Sequence, residues 1–222
     1  MGVFFLILFN YVFGGSIGAG AGIDYLGFLV PGVLVITALQ GAQQTSLGLA
    51  ADLAEGVNDR GRSRPMSRIA VIAGRTVADA VRNVAGLVLV GLVALLMGYR
   101  FASPLAAPAS IALATAVGFG FSWLGAAIAA KVRQPDAVGM LSMFWLFPLM
   151  LASTAFAPVE TMPGWLQGFV RYQPISVASD AVRGLADGRP AGGDILLSLG
   201  WTLILVLCFA PMSVRLSRRE TR

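Results

Sequence analysis

"LGFLVPGVLVITALQGAQQTSLGLAA", Leu26 to Ala51, runs for twenty-six residues without an Asp, Glu, Lys or Arg. Crossing a hydrocarbon layer of about 30 Å takes about 20 apolar helical residues, so this stretch alone is long enough to span a membrane. The rest of the chain has the same character. Over 222 residues it is 57% hydrophobic and only 12% charged, with a mean hydropathy of +0.78. A soluble domain of that composition would expose apolar patches too large to stay dispersed. The chain is therefore read as an all-α integral membrane protein.

Four further runs of suitable length follow: Ile69–Gly98, Ala106–Ala130, Val138–Phe156 and Asp194–Val214. An apolar start, "VFFLILFNYVF" from Val3 to Phe13, reaches about 17 Å as a helix and is too short alone. No Lys or Arg precedes Arg60, so a signal peptide with its basic leader is disfavoured. The better expectation is a first span, about residues 1–14, whose N-terminal portion is missing. The runs do not alternate in polarity as barrel strands do. No internal repeat is evident, and the expectation is one six-helix membrane domain over residues 1–222 with no soluble domain.

Basic residues set the expected orientation, because they concentrate on the cytoplasmic side of short loops. Arg60, Arg62, Arg64, Arg68, Arg75, Lys131, Arg133, Arg215, Arg218, Arg219 and Arg222 fall on one side. Arg100, Arg171, Arg183 and Arg189 fall on the other, and Arg82 lies within a span. Eleven against four places the loop after the second span, and the C-terminus, in the cytoplasm. The formal charge of +5 is then mostly a topology signal with attraction to anionic lipid, and no nucleic-acid partner is expected.

The same composition removes several chemistries. With no His, neither an HExxH metalloprotease nor a His-based serine protease is possible. The single Cys208 can form neither an internal disulfide nor a thiolate cluster. A GxxxxGK[ST] phosphate loop is missing, and carboxylates do not cluster at metal-ligand spacing. No catalytic residue and no metal site is expected.

Polar residues inside the spans carry the positive signal. Asp79 stands four residues after Arg75 and three before Arg82, so a helix brings the three to one face where they can neutralise one another. As a structural clamp the triad would fix the end of its span; as a transmitter it would pass movement from the charged loop into the membrane. Gln40, Gln43 and Gln44 in the second span would either bond neighbouring helices or line a translocation path. Ala114, Gly118, Ser122, Ala126 and Ala130 recur every four residues and form a small-residue stripe for close helix packing.

Between the last two spans, Pro158, Pro163 and Pro174 break an apolar segment into two short helices expected at or dipping into the outer interface, Gly164–Tyr172 and Ile175–Leu185. Trp165 and Tyr172 have the character of interfacial anchors. Asp180 and Arg183, at i and i+3, can pair on the second helix. On the opposite side, "EGVNDRGRSRPMSR" from Glu55 to Arg68 mixes carboxylates with arginines. Pro65 separates a short cytoplasmic helix from the third span. An ordinary positive-inside loop would explain the arginines alone. Glu55 and Asp59 make it a mixed-charge surface suited to docking a protein.

"FNYVFGGSI", "YLGFLVPGVLV", "EGVNDRGRSRPMSRIAVIAGRTVADAVRN", "FAPVETMPGWLQGFVRYQPIS" and "DAVRGLADG" occur in an order that resembles the membrane permeases of type-2 ABC exporters, most closely the daunorubicin-resistance-type subfamily. The most specific elements are Asp59–Arg68 and the outer segment with Pro158, Glu160, Pro163 and Trp165. The resemblance covers nearly the whole chain. It implies six transmembrane helices, short outer helices, a second permease subunit forming a homodimer, and separate P-loop ABC ATPase subunits that hold ATP and Mg, with no cofactor in this chain. It also implies a coupling helix around Asp52–Ser63, giving Glu55, Asp59, Arg60, Arg62 and Arg64 the ATPase contact. A bacterial cytoplasmic membrane and an amphipathic drug-like, lipid or glycolipid substrate follow as expectations. An ion-gradient-driven secondary transporter and a lipid-modifying membrane enzyme are the alternatives.

Overall fold

The computed structural model describes residues 1–21, 24–54, 68–132 and 134–218. Eight α-helices are found among them: α1 Gly2–Ala21, α2 Tyr25–Ala54, α3 Arg68–Leu96, α4 Ala106–Val132, α5 Pro135–Leu151, α6 Gly164–Tyr172, α7 Pro174–Ala186 and α8 Gly192–Arg218. No strand occurs among the described residues, as expected where lipid cannot satisfy backbone groups and each helix must do so internally. Among the described residues, three helices are long and apolar enough to cross a membrane: Tyr25–Ala54, Ala106–Val132 and the stretch Gly192–Leu216 of α8. Shorter apolar stretches are Gly2–Val12, Val81–Leu96 and Pro135–Leu151.

Two boundaries differ most from the sequence reading. The apolar start is only the first half of α1, which continues through a Gly- and Ser-containing stretch to a length of 20 residues, about 30 Å. Glycine costs a helix backbone entropy, but lipid offers its backbone groups no water to bond, which favours keeping them in the helix. At the other end of the fold, α5 was expected to run to Phe156 but ends at Leu151. Pro148 removes a backbone donor inside the helix. Gln173 then takes the freed end: its Nε2 donates to the carbonyls of Leu149, at 3.1 Å, and Ala152, at 2.7 Å. The Ser153 hydroxyl donates to Met150 O.

α2 forms the centre. It packs on α1, α3, α4, α5 and α7, while α4 also packs on α8. Leu29, Val33, Leu34, Ile36 and Leu39 on α2 are buried. The expected small-residue stripe of α4 is buried along its whole length, and its purpose is close approach to α2. A Cβ at Gly118 would stand 2.8 Å from Ala38 O, so only glycine lets the two backbones pass there. α8 presents Leu196, Leu203 and Leu207 outward, as a helix against lipid does.

The outer helices fall where the prolines predict. α7 closes with Gly188 at φ 68, its successor Arg189 N bonding Gly184 O at 2.9 Å. That left-handed residue ends the helix and turns the chain toward α8. Ala102 N bonds Ala186 O at 2.9 Å, which ties the α3–α4 connection to the same end.

Candidate functional site

The amides of α2 and the ion pair of α3, far apart in sequence, line one cavity of about 600 Å³. Gln40, Gln43 and Gln44 contribute from α2, Asp79, Arg82 and Asn83 from α3. The lining also has an apolar part: Phe5 of α1 with Met143, Leu146, Phe147 and Met150 of α5. That volume is in the range of pockets for drug-sized ligands, and the methionines of the apolar part are flexible enough to follow differently shaped guests.

Asp79 and Arg82 pair as their spacing predicts, with Arg82 Nη1 donating to Asp79 Oδ1 at 2.9 Å. The carboxylate is 9% exposed and the guanidinium 78%, so the pair is rooted in the bundle and open at one end. Arg75 lies on the same helix, but its side chain is outside the described residues. Asn83, which the sequence reading did not single out, fixes the register of this wall. Its Nδ2 donates to Ala38 O at 3.0 Å, joining α3 to α2. An amide beside an ion pair in an apolar span was the available signal, since such groups in a bundle seek a partner on another helix.

A second polar region lies at the α7 end. Arg183, predicted only to pair with Asp180, does so and also donates to Phe28 O at 3.1 Å and Thr154 O at 2.9 Å. Its guanidinium stacks 3.8 Å from the Phe28 ring centroid. One buried side chain thus joins α7, the first turn of α2 and the segment after α5. Thr154 completes the junction by donating to Asp180 Oδ1 at 3.0 Å. Burial pushes the Asp180 carboxyl above the usual carboxylate range, against the pull of Arg183. Burial likewise lowers the Arg183 guanidinium, which Asp180 opposes. These residues border a cavity of about 640 Å³ whose wall also carries Asp24, Glu160, Asp187 and Asp194.

On α6, Trp165 and Tyr172 are exposed, as is Phe169 between them; at i, i+4 and i+7 the three rings share one face. The expected coupling residues Glu55, Asp59, Arg60, Arg62 and Arg64 lie outside the described residues. α2 leads directly to them, ending at Ala54.

Residues 1–186 match the family described as "ABC-2 type transporter". The chain is 36% identical to the daunorubicin resistance ABC transporter permease protein DrrB1 of Streptomyces coeruleorubidus, over 99% of this chain and 78% of that protein. It is 27% identical to the probable doxorubicin resistance ABC transporter permease protein DrrC of Mycobacterium tuberculosis, over 99% of this chain and 80% of that one. With the probable multidrug ABC transporter permease YbhR of Escherichia coli it shares 24% identity over 83% of this chain and 50% of the other.

Proposed function

The chain belongs to the ABC-2 type transporter family, and from that premise we propose that it forms, with a second copy of itself, the membrane pathway of an ATP-driven exporter. It is a permease subunit, and its family associates with ABC ATPase subunits. In this reading ATP and Mg are bound and used by the partner, in a bacterial cytoplasmic membrane. The loop after α2 and the C-terminus face the cytoplasm, on the side that carries eleven of the sixteen Lys and Arg residues.

The single observation that carries the pathway is the mixed lining of the cavity. Amides and an ion pair line the same cavity of about 600 Å³ as Phe, Met and Leu side chains, a composition suited to a molecule with an apolar body and hydrogen-bonding groups. Such a substrate is amphipathic, drug-like or lipid-derived, in keeping with the drugs in the relatives' names. Closure of the ATPases on ATP would displace the Glu55–Arg64 segment. α3, rooted to α2 through Asn83 and bearing Asp79 and Arg82 on the cavity wall, would carry that displacement to the substrate.

The test is purification of the chain in mild detergent from its native membrane, with mass spectrometry of what accompanies it. A P-loop ATPase in near-equal amount is the expected result. An intact chain that purifies without one, and whose transport follows an ion gradient instead of ATP, would overturn the proposal.

A further inference from the structure

Behind the large cavity, where α2, α3 and α4 meet, lies a much smaller pocket in which Thr45, Asp79, Asn83, Thr115 and Ser122 stand among Gly41, Ala42, Gly118 and Phe119. It has room for one water-sized particle, about 10 Å³, close to the least space in which a single water can sit. Its chemistry decides what fits. A hydroxyl has one proton and two lone pairs, and each hydroxyl here has already placed its proton on its own helix. Thr45 donates to Gly41 O at 3.2 Å, Thr115 to Ile111 O at 2.7 Å and Ser122 to Phe119 O at 2.7 Å. What these three oxygens have left is acceptor capacity. The Asp79 carboxylate accepts as well, and one Asn83 amide proton is engaged at Ala38 O.

The polar groups of this partly apolar chamber are thus mainly acceptors, and a polar guest must bring protons to them. We infer that the pocket holds one buried water molecule, which donates to hydroxyl oxygens of α2 and α4 or to Asp79 and can accept from the second amide proton of Asn83. A buried water typically makes about three hydrogen bonds to groups of this kind. The water ties α3 to α4 and solvates Asp79 from inside the bundle, while Arg82 meets the same carboxylate from the open side. A bare cation suits the chamber less well, because Arg82 already balances the charge of Asp79.

The test uses the full chain in lipid nanodiscs. Thr115→Val keeps the shape and removes an acceptor, and Ile111 O keeps its backbone partner. It should lower the melting temperature by roughly 2–4 °C, the shift expected for about one hydrogen bond in a chain of this size. Thr115→Ser should stay near wild type, and a high-resolution map should show a density peak among the three hydroxyls. A Thr115→Val protein as stable as wild type or more so, with no peak, means a dry pocket and overturns the inference. A rise in melting temperature specific to sodium over choline at equal ionic strength, lost in Asp79→Asn, would also overturn it by making the guest an ion.

Discussion

Arg183 reaches across 155 positions of sequence to donate to the carbonyl oxygen of Phe28 at 3.1 Å. The contact makes α7 and the first turn of α2 one mechanical unit, because the same guanidinium also holds Thr154 O and stacks on the Phe28 ring. Motion at this end of the cavity therefore involves α2, which packs on five other helices, and not α7 alone.

Replacing Arg183 by Met should destabilise the folded chain by about 2–4 kcal/mol, since one buried and one part-buried carbonyl lose charge-assisted donors and Asp180 loses its counter-charge. Arg183→Lys should recover only part of this, because a single ammonium cannot serve both carbonyls as a planar fork does. Thermal unfolding of the three proteins in one detergent measures the order; a Lys variant as stable as wild type would contradict the fork.

Gly118→Val should separate α4 from α2 and prevent a monodisperse membrane fraction, because added carbons collide with the Ala38 carbonyl. Gly91→Ala provides the control: nothing lies within 4 Å of where the added methyl would stand, and alanine favours a helix by up to about 1 kcal/mol. Fluorescence-detected size exclusion should show loss of the peak for the first and its retention for the second.

Gln40→Leu and Gln44→Leu should raise the substrate concentration for half-maximal ATPase stimulation by roughly 2–10-fold each, the effect of one net hydrogen bond. Neither amide should matter much to folding, since Gln44 is exposed and Gln40 half-buried. Equal stimulation curves together with lowered melting temperatures would assign these amides to helix packing instead.

Charge reversal at Asp59 together with Arg62 should abolish permease-stimulated ATPase activity while leaving membrane insertion unchanged. The check is ATPase rate in reconstituted vesicles beside protease protection of the C-terminus. Unchanged stimulation would return this loop to a purely topological role.

Local grammar made much of the fold legible. Prolines at 163 and 174 delimited α6 and α7 almost to the residue, because a proline starts a helix well and continues one poorly. The i, i+3 spacings of Asp79 with Arg82 and of Asp180 with Arg183 became ion pairs for the same local reason. Contacts between distant segments were not legible. The end of α5 depends on an amide supplied by Gln173, and nothing in the apolar run up to Phe156 announces it. That Gln40 and Asp79 share a cavity depends on the register of α3 against α2, set by Asn83 and invisible to periodicity within either helix. The length of α1 was not legible because the apolar run stops at Phe13, whereas the helix continues through residues of low hydropathy to Ala21.

The central place of α2 has a consequence for biosynthesis. This helix leaves the ribosome early, yet α7, with the guanidinium that braces its first turn, is made some 150 residues later. Until then the nascent chain carries an early span whose polar and tightly packed faces lack their final neighbours, the kind of intermediate that chaperones and membrane proteases intercept. Chains terminated between α5 and α7 should therefore be degraded far faster than chains that lose only the last turns of α8.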